Sequence, residues 1–231
     1  EQNARLSAII DSIPDNLYVI DRKGNYLELL NTPKNEPKEL FFNAVGKNIR
    51  DLFDETKIDL HLGKIEEAFN TGQIITYEYE GVIGYDDLQY EARLVKISDH
   101  KMLRLIRDIT DRKIVEREVK KLTLAIEQSP VAVIITDLEA RLQYMSPAFL
   151  MMTGYTYDEM IGQPIGRIKS GITNKETYSD LWNTIKTGNP WQKEWINKRK
   201  DGTLFWEDTT IQPLNGNSGR IEYFLAFKKD I

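Results

Sequence analysis

The chain repeats itself at one spacing. At an offset of 116 positions Pro14 meets Pro130, Asp21 meets Asp137, Gly46 meets Gly162, Thr71-Gly72 meets Thr187-Gly188, Glu78 meets Glu194 and Glu91 meets Glu207. The endings Asp108-Ile109 and Asp230-Ile231 match at 122 instead, so the second copy carries six further residues (122 − 116) late in the unit. A constant offset over so long a stretch means two copies of one domain, and two copies are too few to share a core by stacking. Each must bury its own. The 231 residues then divide into two units of ordinary domain size.

Composition supports that division. Hydrophobic residues make up 41% and aromatics 10%, enough for two cores. The net charge of −5 argues against a basic nucleic-acid face, so no nucleic-acid partner is expected. With no cysteine, disulfides, thiolate metal sites and thiol chemistry are excluded. No apolar run approaches the length a membrane helix needs, so no span is expected in this fragment and a cytoplasmic location is. The chain starts at Glu1 and stops at Ile231 in mid-phrase, which reads as a piece of a longer protein that could itself be membrane-anchored. No phosphate-cradling glycine loop, HExxH or GxGxxG is present, so the fragment is not expected to be an enzyme.

Periodicity orders each copy. Residues 4–13 have helical spacing and Pro14 stops them; 17–20 and 25–30 read as strands around a turn at 21–24. The second copy gives strands at 132–136 and 141–145, then a short helix with Ser146 as N-cap and Pro147 at its first position. Within 172–187, Tyr178, Leu181, Trp182 and Ile185 share a helix face, with Gly188, like Gly72 in the first copy, as the C-cap. Strands at 191–199, 203–213 and 221–229 follow, joined by Lys200-Asp201-Gly202 and by 215–219, where the six extra residues are expected. Asp21 and Asp137 lack a catalytic partner at a motif spacing and read as turn caps. Two strands, short helices and three strands make an α+β fold with the helices on one face of a sheet.

Between the copies, residues 111–127 are charged and free of Gly and Pro. Val115, Val119, Leu122 and Ile126 are spaced 4, 3 and 4, a short heptad seam. It is either an amphipathic helix packed on its own domain or a dimer-forming signalling helix.

Glu127-Gln128-Ser129-Pro130, Ile135-Thr136-Asp137, Ser146-Pro147-Ala148-Phe149, Thr153-Gly154-Tyr155, Ile161-Gly162 and Asn197-Lys198-Arg199-Lys200-Asp201-Gly202, together with Arg107-Asp108-Ile109-Thr110-Asp111-Arg112-Lys113 in the first copy, resemble PAS domains, sensory modules of bacterial signalling proteins. The resemblance covers both copies. It implies two five-stranded antiparallel sheets, with PAS domain 1 at 1–112, a helical linker at 113–126 and PAS domain 2 at 127–231. The first copy departs from the family between Asn31 and Glu39, where Pro33 and Pro37 replace a short helix start. The implied role is the sensory segment of a sensor histidine kinase or a diguanylate cyclase or phosphodiesterase. It would sense a small ligand, redox state or partner and relay it to a downstream output domain, as a homodimer. The alternative is a ligand-free dimerisation or protein-docking module.

The second copy is also similar to the flavin-binding redox branch of the family, found in nitrogen-fixation regulators. Two ring contacts of that branch fall on Trp182 and Asn197, while a Ser and a Glu contact fall on Ile134 and Ile165. FAD, another small ligand and no ligand therefore all stay open for the second domain. Candidate apolar walls are Phe149, Tyr178, Ile168 and Phe224. Haem-binding members carry a proximal His near the position of His61, but a lone helix His reads first as a surface or cap residue; His100 reads as a solvated turn residue. No metal site is expected. Absence of cysteine rejects the light-sensing branch that forms a cysteinyl–flavin adduct. The Asp-Ile-Thr phrase implies signal relay through Asp108, Thr110, Val115, Val119 and Leu122. Arg107 or Arg112 would pair with Asp108, and Thr110 would N-cap the exit helix.

Overall fold

The computed structural model describes residues 2–32, 44–81 and 87–231. The chain divides into two compact units, Glu1–Glu118 and Val119–Ile231. The departure at Pro33 and Pro37 lies outside the described residues.

The first unit runs α1 (Gln2–Asp11), β1 (Asn16–Asp21), β2 (Tyr26–Asn31), a 3-10 turn (Ile49–Asp51), α2 (Glu55–Thr71), β3 (Ile75–Glu80), β4 (Gln89–Lys96) and β5 (Lys101–Asp108). The unit boundary falls inside α3 (Thr110–Glu127). The second unit continues with β6 (Ala132–Thr136), β7 (Leu142–Met145), α4 (Pro147–Thr153), α5 (Tyr157–Met160), a 3-10 turn (Ile165–Ile168), α6 (Lys175–Lys186), β8 (Trp191–Lys198), β9 (Leu204–Asn215) and β10 (Ile221–Asp230). Each unit holds a five-stranded antiparallel sheet, in the orders β2-β1-β5-β4-β3 and β7-β6-β10-β9-β8. These are the same order, strand for strand. The last strand of each unit takes the centre of its sheet.

The turns form for the reasons the sequence suggests. Asp21 Oδ1 accepts the backbone N–H of Lys23 and of Asn25, and Asp137 Oδ1 accepts those of Glu139 and Arg141. Gly24 takes φ 81° in the first turn; its counterpart Ala140 holds φ 60°, the only non-glycine positive φ among the described residues, at a cost of ~1–2 kcal/mol. Ser146 occupies the N-cap position of α4, but its hydroxyl accepts the N–H of Val133 on β6 at 2.9 Å instead of bonding a helix amide. α6 ends one residue earlier than expected, with Thr187 as C-cap and Gly188 beyond it at φ 89°.

Five of the six extra residues lengthen the last hairpin, since the offset rises from 117 between Glu91 and Asp208 to 122 between Asp108 and Asp230 (122 − 117). β9 and β10 have 12 and 10 residues, where β4 and β5 have 8 each. The register also slips. Glu78 faces Glu91 across the first sheet, but Glu194 faces Asp208 across the second. Asp208, and not Glu207, therefore stands where Glu91 stands, which corrects the sequence pairing of the two glutamates. A one-residue slip turns a strand's faces over. Glu207 consequently points inward and is fully buried.

The start of α3 differs from expectation in two ways. Asp108 Oδ1 accepts the N–H of Thr110 at 2.8 Å, so Asp108 supplies the cap, while the Thr110 hydroxyl accepts the N–H of Gln89 on β4 at 3.0 Å. Arg107 makes a two-pronged pair with Asp15, and Arg112 pairs with Glu78, so neither is the partner of Asp108.

Candidate ligand site

In the second unit α6 covers the sheet without filling the space beneath it. A cavity of about 280 Å³ remains between α6, the 3-10 turn and strands β6, β8, β9 and β10. That is just below the ~300–1,000 Å³ usual for ligand pockets and suits one ring-sized body. The helical spacing of Tyr178, Leu181, Trp182 and Ile185 turns all four toward it. Trp182 meets Phe224 edge to face at 5.8 Å between centroids, and Tyr178 lies 5.6 Å from Trp195. These rings form one wall.

The opposite floor is polar. Asn197 on β8 is 3% exposed, and its side-chain amide donates to Glu207 Oε1 at 2.7 Å. The same oxygen receives Trp195 Nε1 at 2.6 Å, the Thr209 hydroxyl at 2.7 Å and the ammonium of Lys228. Oε2, by contrast, is buried with no hydrogen-bond partner. Burial, the largest influence on Glu207, works to raise its carboxyl. Lys228 and the donated hydrogen bonds outweigh it and hold the group below the ordinary carboxylate range. Asn197, Trp195 and Lys228 themselves line the cavity, so one face of any occupant meets a closed ionic network.

Of the six residues named from sequence, Trp182, Asn197, Tyr178, Ile168 and Phe224 line this cavity. Phe149 does not. It is fully buried where α4 packs on the sheet, behind the cavity wall, in a cluster with Leu142, Met145 and Met160 that also holds the lining residues Ile134, Ile168 and Ala226. Ile134 and Ile165 do line the cavity, as apolar wall. The sequence marked Glu207 only as the repeat partner of Glu91 and did not single out Lys228, although the alternation Phe224, Ala226, Lys228 puts the lysine on the buried face.

Asp108 and Thr110 stand at the entry of α3. Val115, Val119 and Leu122 lie along it, each about 60% exposed, and the helix buries no residue. No helix among the described residues is long and apolar enough to cross a membrane.

His61, expected at the surface, is fully buried on α2. Its Nδ1 is 2.9 Å from the Tyr77 hydroxyl and 3.3 Å from Arg104 Nη2. Burial, then the positive charges of Arg104 and Lys57, push its pKa down to about 2. Arginine only donates, so Nδ1 accepts and the ring proton sits on Nε2. That tautomer offers no lone pair toward a haem iron. Among the described residues no three His, Cys, Asp or Glu side chains gather as a metal site.

Comparison with known proteins places the second unit. The model of the PAS fold matches residues 120–231. The chain is 36% identical over 106 residues to the nitrogen fixation regulatory protein of Klebsiella oxytoca, covering 46% of this chain and 21% of that protein. It is 29% identical over 93 residues to the aerotaxis receptor of Escherichia coli, covering 40% and 18%. The chain thus spans about a fifth of the length of these relatives. The crystal structure of a PAS domain from Colwellia psychrerythraea matches with TM-score 0.46 and 21% identity, over 49% of this chain and 96% of that one. The matched segment carries one whole sheet, β7-β6-β10-β9-β8, with its covering helices, and residues 120–231 are a PAS domain.

Proposed function

We propose that the chain is the sensory segment of a bacterial signalling protein, and that its second unit senses by holding a small ring-bearing molecule. The cavity beneath α6 carries this reading, with aromatic rings on one side and the Asn197–Glu207–Lys228 network on the other. An isoalloxazine ring fits that chemistry, since it offers a flat apolar face and several hydrogen-bonding edge atoms; FAD is the first candidate. The first unit, with its matching strand order, acts as a second PAS domain in tandem. The output lies in another part of the protein, a histidine kinase or a cyclic-di-GMP synthase or phosphodiesterase, and no catalysis belongs to these residues. Occupancy changes packing at the sheet, and α3 carries the change in a homodimer through Val115, Val119 and Leu122.

A second reading, a ligand-free dimerisation module, draws on the exposed apolar stripe of α3. The visible spectrum and native mass of freshly purified protein separate the two. A flavin band, or a stoichiometric added mass that Asn197→Ala reduces by ~1–3 kcal/mol of affinity, supports sensing. Protein without either, and indifferent to Asn197→Ala, leaves the dimerisation reading standing.

A further inference from the structure

The first unit buries a positive charge in a different way. Arg104 on β5 is fully buried, as Lys228 is nearly so in the second unit. Lys228 has Glu207. Strand pairing identifies what replaces that carboxylate: Trp195 faces Glu207, and Tyr79, 116 residues earlier, faces Tyr90. Arg104 therefore sits in a sheet whose corresponding position holds a phenol. Among the described residues no carboxylate pairs with it; its charge is bordered by rings, with Tyr26 and Tyr79 each 5.6 Å and Phe53 5.7 Å from the guanidinium carbon, and the oxygens set against it are the neutral Tyr26 and Tyr79 hydroxyls. Burial, the largest influence, raises the hydroxyls of Tyr77, to about 12, and of Tyr79, well above the ordinary phenol value, so neither supplies a phenolate at neutral pH.

The unpaired atoms in this cluster are all donors. Among the described residues, Arg104 Nε and Nη1 and His61 Nε2 are buried without a hydrogen-bond partner. Since Arg104 Nη2 donates to His61 Nδ1, the imidazole proton lies on Nε2, and the third orphan is an N–H as well. A buried cation and three unmet N–H groups cost several kcal/mol unless acceptors are supplied. Phe53, its ring centroid 3.9 Å from that of His61, closes the cluster on another side with apolar surface. The complement is a small body carrying negative oxygens.

We propose that the core of the first unit is a binding site for a small organic carboxylate, held by Arg104 and His61 within the ring of Tyr26, Phe53, Tyr77 and Tyr79. It is independent of the cavity in the second unit. None of the three donors reaches solvent, so entry requires local opening and exchange is slow.

Nuclear magnetic resonance of the full chain with ¹⁵N-histidine tests this, because His61 and His100 are its only histidines and His100 lies in an exposed turn. Sodium acetate and sodium benzoate, with nitrate, phosphate and chloride as controls at equal ionic strength, are titrated in. The proposal expects a second set of His61 resonances that grows to saturation with a carboxylate, while His100 stays unchanged. If the native acid co-purifies, the set is present from the start and the denatured protein releases one equivalent of acid. Arg104→Leu should weaken binding about 10- to 100-fold, or abolish acid carry-over, without moving the second unit's tryptophan fluorescence. Arg104→Lys, which keeps the charge, should retain part of it. No new resonances together with no released acid overturns the proposal, even if Arg104→Leu does not fold. Equal response to chloride, or response to phosphate alone, overturns it also.

Discussion

Glu207 and Lys228 form the most consequential side-chain pair in the second unit, because each neutralises a charge that has no access to water. Glu207→Leu would strand Lys228 beside Trp195 and should cost ~3–5 kcal/mol, whereas Glu207→Leu with Lys228→Met should recover most of that loss. Urea unfolding followed by tryptophan fluorescence reports it, since Trp182, Trp191, Trp195 and Trp206 all lie in the second unit. A single variant within 1 kcal/mol of the parent, on the order of a surface change, would contradict this account. The pair was not legible in the sequence because matching at 116 aligned Glu207 with the half-buried Glu91, and one residue of slip is enough to exchange core and surface. His61 makes the parallel case in the first unit. Above the ordinary imidazole value of ~6.5 neither state binds its proton. As pH falls below that, the unfolded chain takes up a proton that the folded state refuses until about 2, so stability declines. Against His61→Phe, the parent should lose about 2–3 kcal/mol more between pH 6.5 and 4.5, a difference that neighbouring carboxylates cancel from. Equal slopes for the two proteins would mean that the imidazole is protonated in the fold.

At the scale of elements, strands and turns were readable because their signals are local. The inward face of α6 follows from the spacing of Tyr178, Leu181, Trp182 and Ile185, and the Asp201-Gly202 turn from chemistry that tolerates Gly202 at φ 92°. Capping was less readable, since it depends on which acceptor arrives first: the Ser146 and Thr110 hydroxyls both go to neighbouring strands. α3 shows what periodicity can and cannot decide. Its heptad spacing predicts a stripe, and the fold leaves that stripe exposed, with Val115, Val119 and Leu122 all about 60% accessible. The first turn is anchored by Glu78, which pairs with Arg112 at 2.7 Å and Lys113 at 2.6 Å. Val119→Pro should cost about 3 kcal/mol of local helix stability and release the homodimer proposed above. Leu122→Glu should release it while leaving circular dichroism unchanged. Circular dichroism separates helix loss from seam loss, and sedimentation equilibrium reads the dimer; a Leu122→Glu chain that still sediments as a dimer would remove α3 from the interface.

The whole molecule keeps one architecture twice and fills it differently. Identical strand order was legible from the repeat, since turn glycines, caps and helix ends are the positions that backbone geometry constrains most tightly. The inward side chains were not, because they need only fit one another. Tyr18, Arg104 and Ile106 occupy the places taken by Ile134, Ala226 and Lys228. Among the described residues the buried hydrophobic clusters follow the same division: one lies wholly within the first unit and two wholly within the second. Cooperativity should therefore stop at the unit boundary, with two unfolding transitions instead of one. Ile65→Ala removes a fully buried side chain from the first cluster and should cost ~2–5 kcal/mol there. Followed by the His61 resonance, the first transition should move to lower urea by that amount; followed by tryptophan fluorescence, the second should hold its midpoint. Were both midpoints to move together, the units would be folding as a single body, and the repeat would describe ancestry and strand order but not energetics.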